Sequence, residues 1–450
     1  MIPSSRLTSL DAFRGFVIAF MFFVNLSGSR DAFPAWFGHA GWNNGLHGQF
    51  LADYVFPWFL FIVGVAIPFS MHSGRGASKS TTHKLAAALR RGMVIYLLGI
   101  LIWAAKSSPD STVWRDGSLV AQRGIPISWR TFLHWDILPL IGFGYFLAAA
   151  ACYSSWRGRL LLIAAILTAK AVILPDLAAT SGLDRTLWMA ERTDLDAAIR
   201  SWGWWGTLIT QGLPAGASVL WGTLAGDLLR TSLTSERKSL CLILGGGVVA
   251  ATGFIWAYRL PISKDFFTPT YVLVSCGTGS VVLGFFYHVL DGAAWSAMKT
   301  RLLTGALLVA GAGGALFSGP GWFTSGQASG AAVILATGAV VFFLCAWRGG
   351  SSQERAVTLT AMGCNAIALY VASELLWTMV WMRWRVACPG DIGPQTAFAA
   401  LQTHLKFAIK PLLGALPAAG LGPWLATLTL ISLYAGAARL MWKHRIFIKV

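Results

Sequence analysis

Long apolar stretches separated by short polar segments dominate the chain. A helix needs about 20 largely apolar residues to cross a bilayer, and windows of that size predict twelve candidate spans. The first window, 9–26, contains Asp11 and Arg14 and is followed by no A-x-A site. We therefore expect a span there and not a cleavable signal peptide. The windows lie at 9–26, 52–71, 86–105, 132–153, 160–175, 203–227, 239–258, 269–290, 302–318, 328–347, 357–380 and 421–440.

The composition narrows the class of protein. Of the 450 residues, 56% are hydrophobic and only 12% are charged, whereas soluble proteins carry about 25% charged residues. This excludes a soluble protein, a disordered chain, a coiled coil and a disulfide-stapled module. We predict an all-α polytopic transmembrane helix bundle. The window at 160–175 contains Lys170 and that at 302–318 is rich in Gly, so these two are the weaker candidates and the predicted number of spans is about 10–12. Residues 1–450 are expected to form one integral-membrane domain with no separate soluble domain.

The net charge of +17 is best explained by topology. With the N-terminus inside, the predicted inner segments hold 20 Lys and Arg, whereas the outer segments hold 14 and most of the acids. Lys and Arg concentrate in cytoplasmic loops and near anionic lipid. We therefore expect both termini to be cytoplasmic, membrane lipid as a partner, and no nucleic-acid binding. The six Cys show no metal-binding spacing, so no metal site is predicted.

Candidate chemistry is concentrated between the first two predicted spans. Asn25 ends the first span, His39 and His47 lie in a short outer loop rich in Trp and Gly, and Asp53 opens the second span. His titrates near neutrality and is the usual general base, a nearby carboxylate would orient it, and Asn can stabilise an oxyanion. Asn25, one histidine and Asp53 would therefore suffice for acyl transfer if the fold brings them together.

Other polar residues at membrane depth are also candidates, because such groups are usually paired or functional. Asp11 and Arg14 lie three residues apart on one helical face, which suits either a local ion pair or a contact to a phosphate-bearing ligand. Asn365 and Glu374 in the eleventh window suit either a polar bridge between helices or a site.

The segments RLTSLDAFRG, FFVN, HAGWN and ADYVFPWFLFIVG within residues 6–71 resemble the heparan-α-glucosaminide N-acetyltransferase family, which includes bacterial members assigned to glucosamine acetylation. Three later blocks resemble this family in the same order: LPISKDFFTPTYVL, AMGCNAIALYVASELL and the terminal KHRIFIKV. The resemblance implies a membrane enzyme that uses acetyl-CoA to acetylate an amino sugar on the non-cytoplasmic side. Family members also suggest a homodimer, for which this sequence shows no interface signature.

The resemblance assigns roles residue by residue. It implies that His39, in HAGWN, is the active-site histidine, that Asn25, in FFVN, is its paired Asn, and that Asp53 is a partner to the histidine. The other candidates fall into two groups. Substrate-binding candidates are Trp42, Asn43, His47, Lys264 and Glu374; candidates for holding acetyl-CoA are Arg14, Asp11 and Asn365.

Two departures from the family pattern bear on the site. The stretch HAGWNNGLHGQFLAD is longer than the family's by several residues and introduces His47, so either histidine could meet the substrate. The family's L-Q-R signature in the fourth span is replaced by HWDILPLIGFGYF, which puts the substrate specificity in question.

Two other functions fit parts of the pattern. About twelve spans with Gly and Pro interruptions and buried acids also suit a secondary transporter of a sugar or organic ion. An O-acetyltransferase acting on an envelope glycan would keep the same chemistry with a hydroxyl acceptor. The sequence also leaves open whether the acetyl group passes directly to the acceptor or first to His39.

Overall fold

The computed structural model describes a helical chain. It covers residues 7–26, 39, 49, 51–71, 80–106, 111–115, 118–122, 135–180, 203–264, 266–292, 356–389, 393–413 and 421–448. Within these residues the chain is helical apart from connecting segments and two short antiparallel hairpins. The predicted all-α class is therefore confirmed, and the hairpins are a minor addition to it.

The helices have the following bounds. They are α1 (Thr8–Asn25), α2 (Leu51–Met71), α3 (Thr81–Lys106), α4 (Ile137–Ala151), α5 (Trp156–Thr180), α6 (Gly203–Thr207), α7 (Leu213–Arg230), α8 (Ser235–Trp256), α9 (Pro269–Leu290), α10 (Val357–Cys364), α11 (Ala366–Leu376), α12 (Ala397–Leu413) and α13 (Leu421–Lys443). A π-helical turn joins α6 to α7 at Leu208–Gly212, and a second follows α11 at Trp377–Trp381.

The two hairpins lie in segments that connect helices. Strand β1 (Ser111–Arg115) pairs with β2 (Ser118–Gln122), with Ser111 opposite Gln122. The second hairpin pairs β3 (Arg385–Val386) with β4 (Gln395–Thr396). Both fall in segments that the charge pattern predicts to be outer loops.

Ten of the twelve predicted windows coincide with these helices, and the other two, 302–318 and 328–347, lie outside the described residues. Among the described helices, six are long and apolar enough to cross a membrane, and a seventh span results if α10, α11 and the following π turn are counted together. Helix α10 and the segment formed by α11 and its π turn are bent by 77° relative to each other at Asn365. The chain is therefore a multi-pass integral membrane protein.

One described helix, α12, was not predicted from the sequence, because its polar residues Gln402, His404 and Lys406 interrupt its apolar run.

Burial separates a central group of helices from a peripheral one. The most apolar stretch of α9 is 83% buried within the protein and that of α2 is 72% buried, whereas those of α8 and α13 are only 28% buried. On α8, the side chains of Leu244, Val248 and Ile255 are between 65% and 68% exposed. Large exposed apolar side chains along one helix are expected on a surface that faces lipid.

Helix α1 begins without a capping side chain of its own, since Leu7 precedes it. Asp291, at the end of α9, accepts hydrogen bonds from the backbone N–H groups of Thr8 at 3.1 Å and Ser9 at 2.8 Å. The first N–H groups of a helix have no partner within it, and a carboxylate also favours the positive end of the helix dipole. Asp291 therefore joins the start of α1 to the end of α9.

Two glycines allow α1 and α10 to cross in direct backbone contact. A Cβ atom added to Gly15 would lie 1.8 Å from the Leu359 carbonyl oxygen, and one added to Gly363 would lie 1.8 Å from that of Asp11. Small residues at crossings let membrane helices approach closely and gain packing contacts. This crossing sets the position of Asn365, and therefore the direction in which α11 leaves the bend.

Both ends of the described chain meet near this crossing. The Asn365 side-chain amide donates to the carbonyl of Ile446 at 3.1 Å, and its oxygen accepts from the N–H of Ile448 at 2.9 Å. Because the carbonyl of Asp11 lies against Gly363, the start of α1 and the C-terminal segment are at the same end of the bundle. The prediction that this end is cytoplasmic stays a prediction.

We expect Gly15→Ala to lower the free energy of unfolding by at least about 1–3 kcal/mol, because its methyl group would overlap a backbone carbonyl that cannot rotate away. The matched control is Gly247→Ala in α8, where an added Cβ meets nothing within 4 Å. The control should be neutral or stabilising by up to about 1 kcal/mol. Thermal unfolding of the purified proteins in one detergent tests this, and equal midpoints for the two variants would contradict it.

Candidate functional site

The first turn of α2 presents a buried carboxylate to the loop histidine. The Asp53 side chain is 2% exposed, and its Oδ1 lies 2.6 Å from Nδ1 of His39. An ionised carboxylate only accepts hydrogen bonds, so this contact places a proton on Nδ1 and fixes the orientation of the ring. The structure therefore brings His39 and Asp53 together, in the arrangement that orients a general base.

A lysine completes this cluster from the segment between α8 and α9. The Lys264 Nζ lies 3.2 Å from Nδ1 and 3.5 Å from Nε2 of His39, and 3.9 Å from Oδ1 of Asp53. With Nδ1 protonated, the ammonium group can donate only to Nε2, and it is also within ion-pair distance of the carboxylate. With a neutral imidazole, the charges of Asp53 and Lys264 balance, which lowers the cost of holding them at membrane depth.

The backbone of Asp53 has a partner of its own, for a reason visible in the sequence. Proline has no N–H, so Pro57 cannot donate the helical hydrogen bond to the carbonyl four residues earlier, which is that of Asp53. The hydroxyl of the fully buried Tyr271 donates to this carbonyl at 2.7 Å. The bond joins the first turn of α2 to α9 at the same residue whose side chain contacts His39.

Asn25 lies in a second polar cluster. Its Nδ2 donates to Oε1 of Glu374 at 3.2 Å, and the other carboxylate oxygen of Glu374 lies 2.8 Å from Nζ of Lys106. The three residues come from the ends of α1 and α3 and from α11. The bend at Asn365 is what turns α11 so that Glu374 reaches the end of α1.

A cavity of about 70 Å³ opens between these clusters. Its polar lining comes from His39, Asn25 and Lys264, together with Tyr370 of α11. The other lining residues are apolar and come from α1, α2, α4 and α11: Ile18, Met21, Val24, Ala52, Val55, Phe56, Phe59, Ile137, Leu138, Ile141 and Ile367. The cavity therefore brings a histidine and three other hydrogen-bonding side chains to one end of a largely apolar lining.

The residues proposed to hold acetyl-CoA lie elsewhere. Asp11 and Arg14 form a local ion pair with 3.2 Å between Oδ1 and Nη1, and the 14 residues between Asp11 and Asn25 span about 21 Å along α1. Both ends of the Asn365 amide bind the C-terminal segment, as described above. These three residues are therefore grouped at the opposite end of the bundle from His39. Trp42, Asn43 and His47 lie outside the described residues.

Three residues of this site were not singled out from the sequence: Lys106, Tyr271 and Tyr370. The signal for Tyr271 was indirect, because a proline four residues after a buried acid requires an outside donor for the acid's carbonyl. Lys106 carried no signal, since it directly follows the apolar window 86–105 and its partner is 268 positions away. Within the residues that the structure describes, no group of three or more His, Cys, Asp and Glu has the arrangement of a metal site.

Comparison with known proteins gives a partial-length relationship. The chain is 31% identical over 156 residues to heparan-alpha-glucosaminide N-acetyltransferase of Mus musculus and 34% identical over 146 residues to that of Homo sapiens. The matches cover 34% and 32% of this chain, and the chain spans about a fifth of the length of these curated relatives (20% and 18%). No family model matches the chain. The resemblance inferred from the motifs is confirmed as homology over about a third of the chain.

We expect Tyr271→Phe to destabilise the protein by about 1–3 kcal/mol, because it removes the donor to the buried Asp53 carbonyl. Pro57→Ala supplies an N–H four residues after that carbonyl, so the double variant should recover much of the loss. Tyr258→Phe is the control, since Tyr258 is 63% exposed. The readout is thermal unfolding in detergent, and a double variant no more stable than Tyr271→Phe alone would contradict this account of the bond.

Proposed function

We propose that this protein is a membrane acetyltransferase that moves an acetyl group from cytoplasmic acetyl-CoA to the amine of an amino sugar at the extracytoplasmic side. We further propose a bacterial inner membrane as its location. The observation that carries the proposal is the contact between His39 and the buried Asp53 at the polar end of the cavity. The relationship to an N-acetyltransferase, over a third of the chain, supports the same chemistry.

His39 acts as the general base in this mechanism. Because Nδ1 contacts Asp53, proton transfer falls to Nε2, and the acceptor amine must displace Nζ of Lys264, 3.5 Å away, to reach it. As the amine nitrogen attacks the thioester carbonyl, Nε2 takes the proton from the amine, and Asp53 stabilises the imidazolium that forms. The new bond is C–N, the C–S bond breaks, and the proton on Nε2 passes to the departing thiolate.

Asn25 stabilises the charge that develops on the carbonyl oxygen. Its side chain lines the same cavity as His39, and an amide N–H is a suitable donor to an oxyanion. Most of the other residues that line the cavity are apolar, so few competing polar groups surround the thioester. The same lining residues also suit a two-step route, in which Nε2 is acetylated first and the amine then attacks the acetyl-imidazole.

The phosphates of acetyl-CoA require fixed cations at the inner end of the bundle. Arg14 is one candidate, because a guanidinium is permanently charged and its planar set of N–H donors matches the geometry of a phosphate group. The basic residues at 72–91 are further candidates: Arg75, Lys79, Lys84, Arg90 and Arg91. Of these, Lys84, Arg90 and Arg91 lie on α3.

One feature of the fold also suits a transporter, because broken helices form the substrate sites of many carriers. Here the break at Asn365 binds the backbone of Ile446 and Ile448, and the cluster of ionisable side chains lies at the other end of α11. Acyl transfer therefore accounts for His39 and Asp53, whereas transport does not require them. Proteoliposomes given acetyl-CoA and labelled glucosamine separate the two, because an enzyme produces N-acetylglucosamine and a carrier only moves glucosamine.

We expect His39→Ala to lower the rate of glucosamine acetylation by about two to four orders of magnitude, which is typical for removal of a positioned base. The assay uses purified protein, acetyl-CoA and glucosamine, with product measured by mass spectrometry. His444→Ala, an exposed histidine beyond α13, should retain activity, and His47→Ala tests the second loop histidine. Full activity in His39→Ala would exclude the mechanism, and loss confined to His47→Ala would transfer the base to that residue.

A further inference from the structure

Glu374 lies close to the cavity but does not line it. It follows Tyr370 by one helical turn on α11, and Tyr370 lines the cavity. The Glu374 side chain is only 12% exposed, and it is absent from the residues that line the cavity. Its two carboxylate oxygens instead contact Asn25 and Lys106. This placement suits a residue that acts through a neighbour more than one that touches a substrate.

The contact to Glu374 determines which way the Asn25 amide faces. The two ends of an amide have nearly the same shape, so only the hydrogen-bond partners choose between the two orientations. A carboxylate accepts hydrogen bonds and donates none. The NH₂ end of Asn25 must therefore face Glu374, at 3.2 Å. The remaining N–H and the carbonyl oxygen then have fixed positions relative to the cavity.

Lys106 holds the carboxylate itself in place. Its Nζ lies 2.8 Å from Oε2, on the side of the carboxylate that Asn25 does not use. Hydrogen bonds between charged groups are roughly twice as strong as those between neutral ones, and two separate partners restrict rotation of the carboxylate. The chain of contacts from Lys106 through Glu374 to Asn25 joins α3, α11 and α1 at the same end of the bundle as His39.

We propose that Glu374 is a positioning residue, which holds the Asn25 amide in the orientation that presents an N–H to the carbonyl oxygen of the acyl donor. This inference rests on the proposed function. A donor that is already oriented needs no reorganisation as charge develops in the transition state, which is the source of its catalytic effect. When Glu374 is removed, the amide can rotate, and part of the population presents its oxygen to a developing negative charge.

The test is a double-mutant cycle on kcat with acetyl-CoA and glucosamine. Misplacement of a catalytic group by about 1 Å can lower the rate about 100-fold, so Glu374→Ala should lower kcat by about 10–100-fold with little change in KM. Asn25→Ala should lower kcat by about 100–1,000-fold. In the Asn25→Ala background, Glu374→Ala should cause no further loss, because its effect passes through Asn25. Multiplicative losses, or a change confined to KM, would overturn the proposal and make Glu374 a substrate contact.

Two further variants separate orientation from simple structural support. Glu374→Gln keeps an acceptor for Asn25 and should retain more activity than Glu374→Ala. The double variant Asn25→Asp with Glu374→Gln restores a hydrogen bond between the two positions with donor and acceptor exchanged. It should recover thermal stability and not kcat, since the donor at position 25 is gone. Recovery of both would show that the orientation of the amide is irrelevant. Glu236→Ala, an exposed acid in the first turn of α8, is the control and should leave kcat unchanged.

Thermal unfolding of the same variants tests the contact between Glu374 and Asn25 independently of the proposed function. If the wild-type protein acetylates no amino sugar, the proposed function is wrong. The contact is then judged by whether the destabilisation by Asn25→Ala and that by Glu374→Ala are coupled, as expected for side chains that share a bond. Additive destabilisation would overturn the contact itself. Acetylation by the wild type with multiplicative kcat losses would overturn only the role of Glu374.

Discussion

The buried carboxylate of Asp53 is the group around which the candidate site is organised. An ionised side chain at membrane depth is tolerated only with close partners, and Asp53 has His39 and Lys264 within 4 Å. Its backbone carbonyl, which Pro57 deprives of a helical donor, is bound by Tyr271. Each requirement of this one residue therefore brings in a different segment: the loop after α1, the segment before α9, and α9 itself. The need to satisfy polar groups inside the protein is what assembles the site.

Backbone contacts between helices determine where Glu374 lies relative to Asn25. The crossing of α1 and α10 is close enough that glycine is required on both sides, at Gly15 and Gly363. The chain then bends at Asn365, whose side chain binds the C-terminal segment, and α11 continues toward the other end of α1. As a result, Glu374 meets Asn25, 349 positions away in the chain. A packing constraint at one end of the bundle thereby determines a polar contact at the other.

The two ends of the bundle hold different polar groups, as the proposed reaction requires, because its two substrates would arrive from opposite sides of the membrane. One end contains Asp11, Arg14 and the C-terminal segment, and the other contains His39, Asn25 and Lys264. At the second end, the cavity is lined mainly by apolar side chains of α1, α2 and α4. In the proposed reaction, this apolar lining would leave space for an acyl group beside His39. This arrangement explains why a chain with few charged residues keeps several of them within a few ångströms of one another.

The sequence by itself determined the membrane class and ten helix positions, because the length of an apolar stretch depends only on consecutive residues. Its local motifs predicted, without establishing, that a loop histidine pairs with Asp53. It could not show that Glu374 contacts Asn25 and Lys106, that Tyr271 supports Asp53, or that Asn365 binds the C-terminal segment. Nor did it indicate α12, whose polar residues break the apolar pattern. Contacts between residues hundreds of positions apart depend on how helices cross and bend. Those angles arise from the close approach at Gly15 and Gly363 and from the break at Asn365, which only the tertiary structure decides.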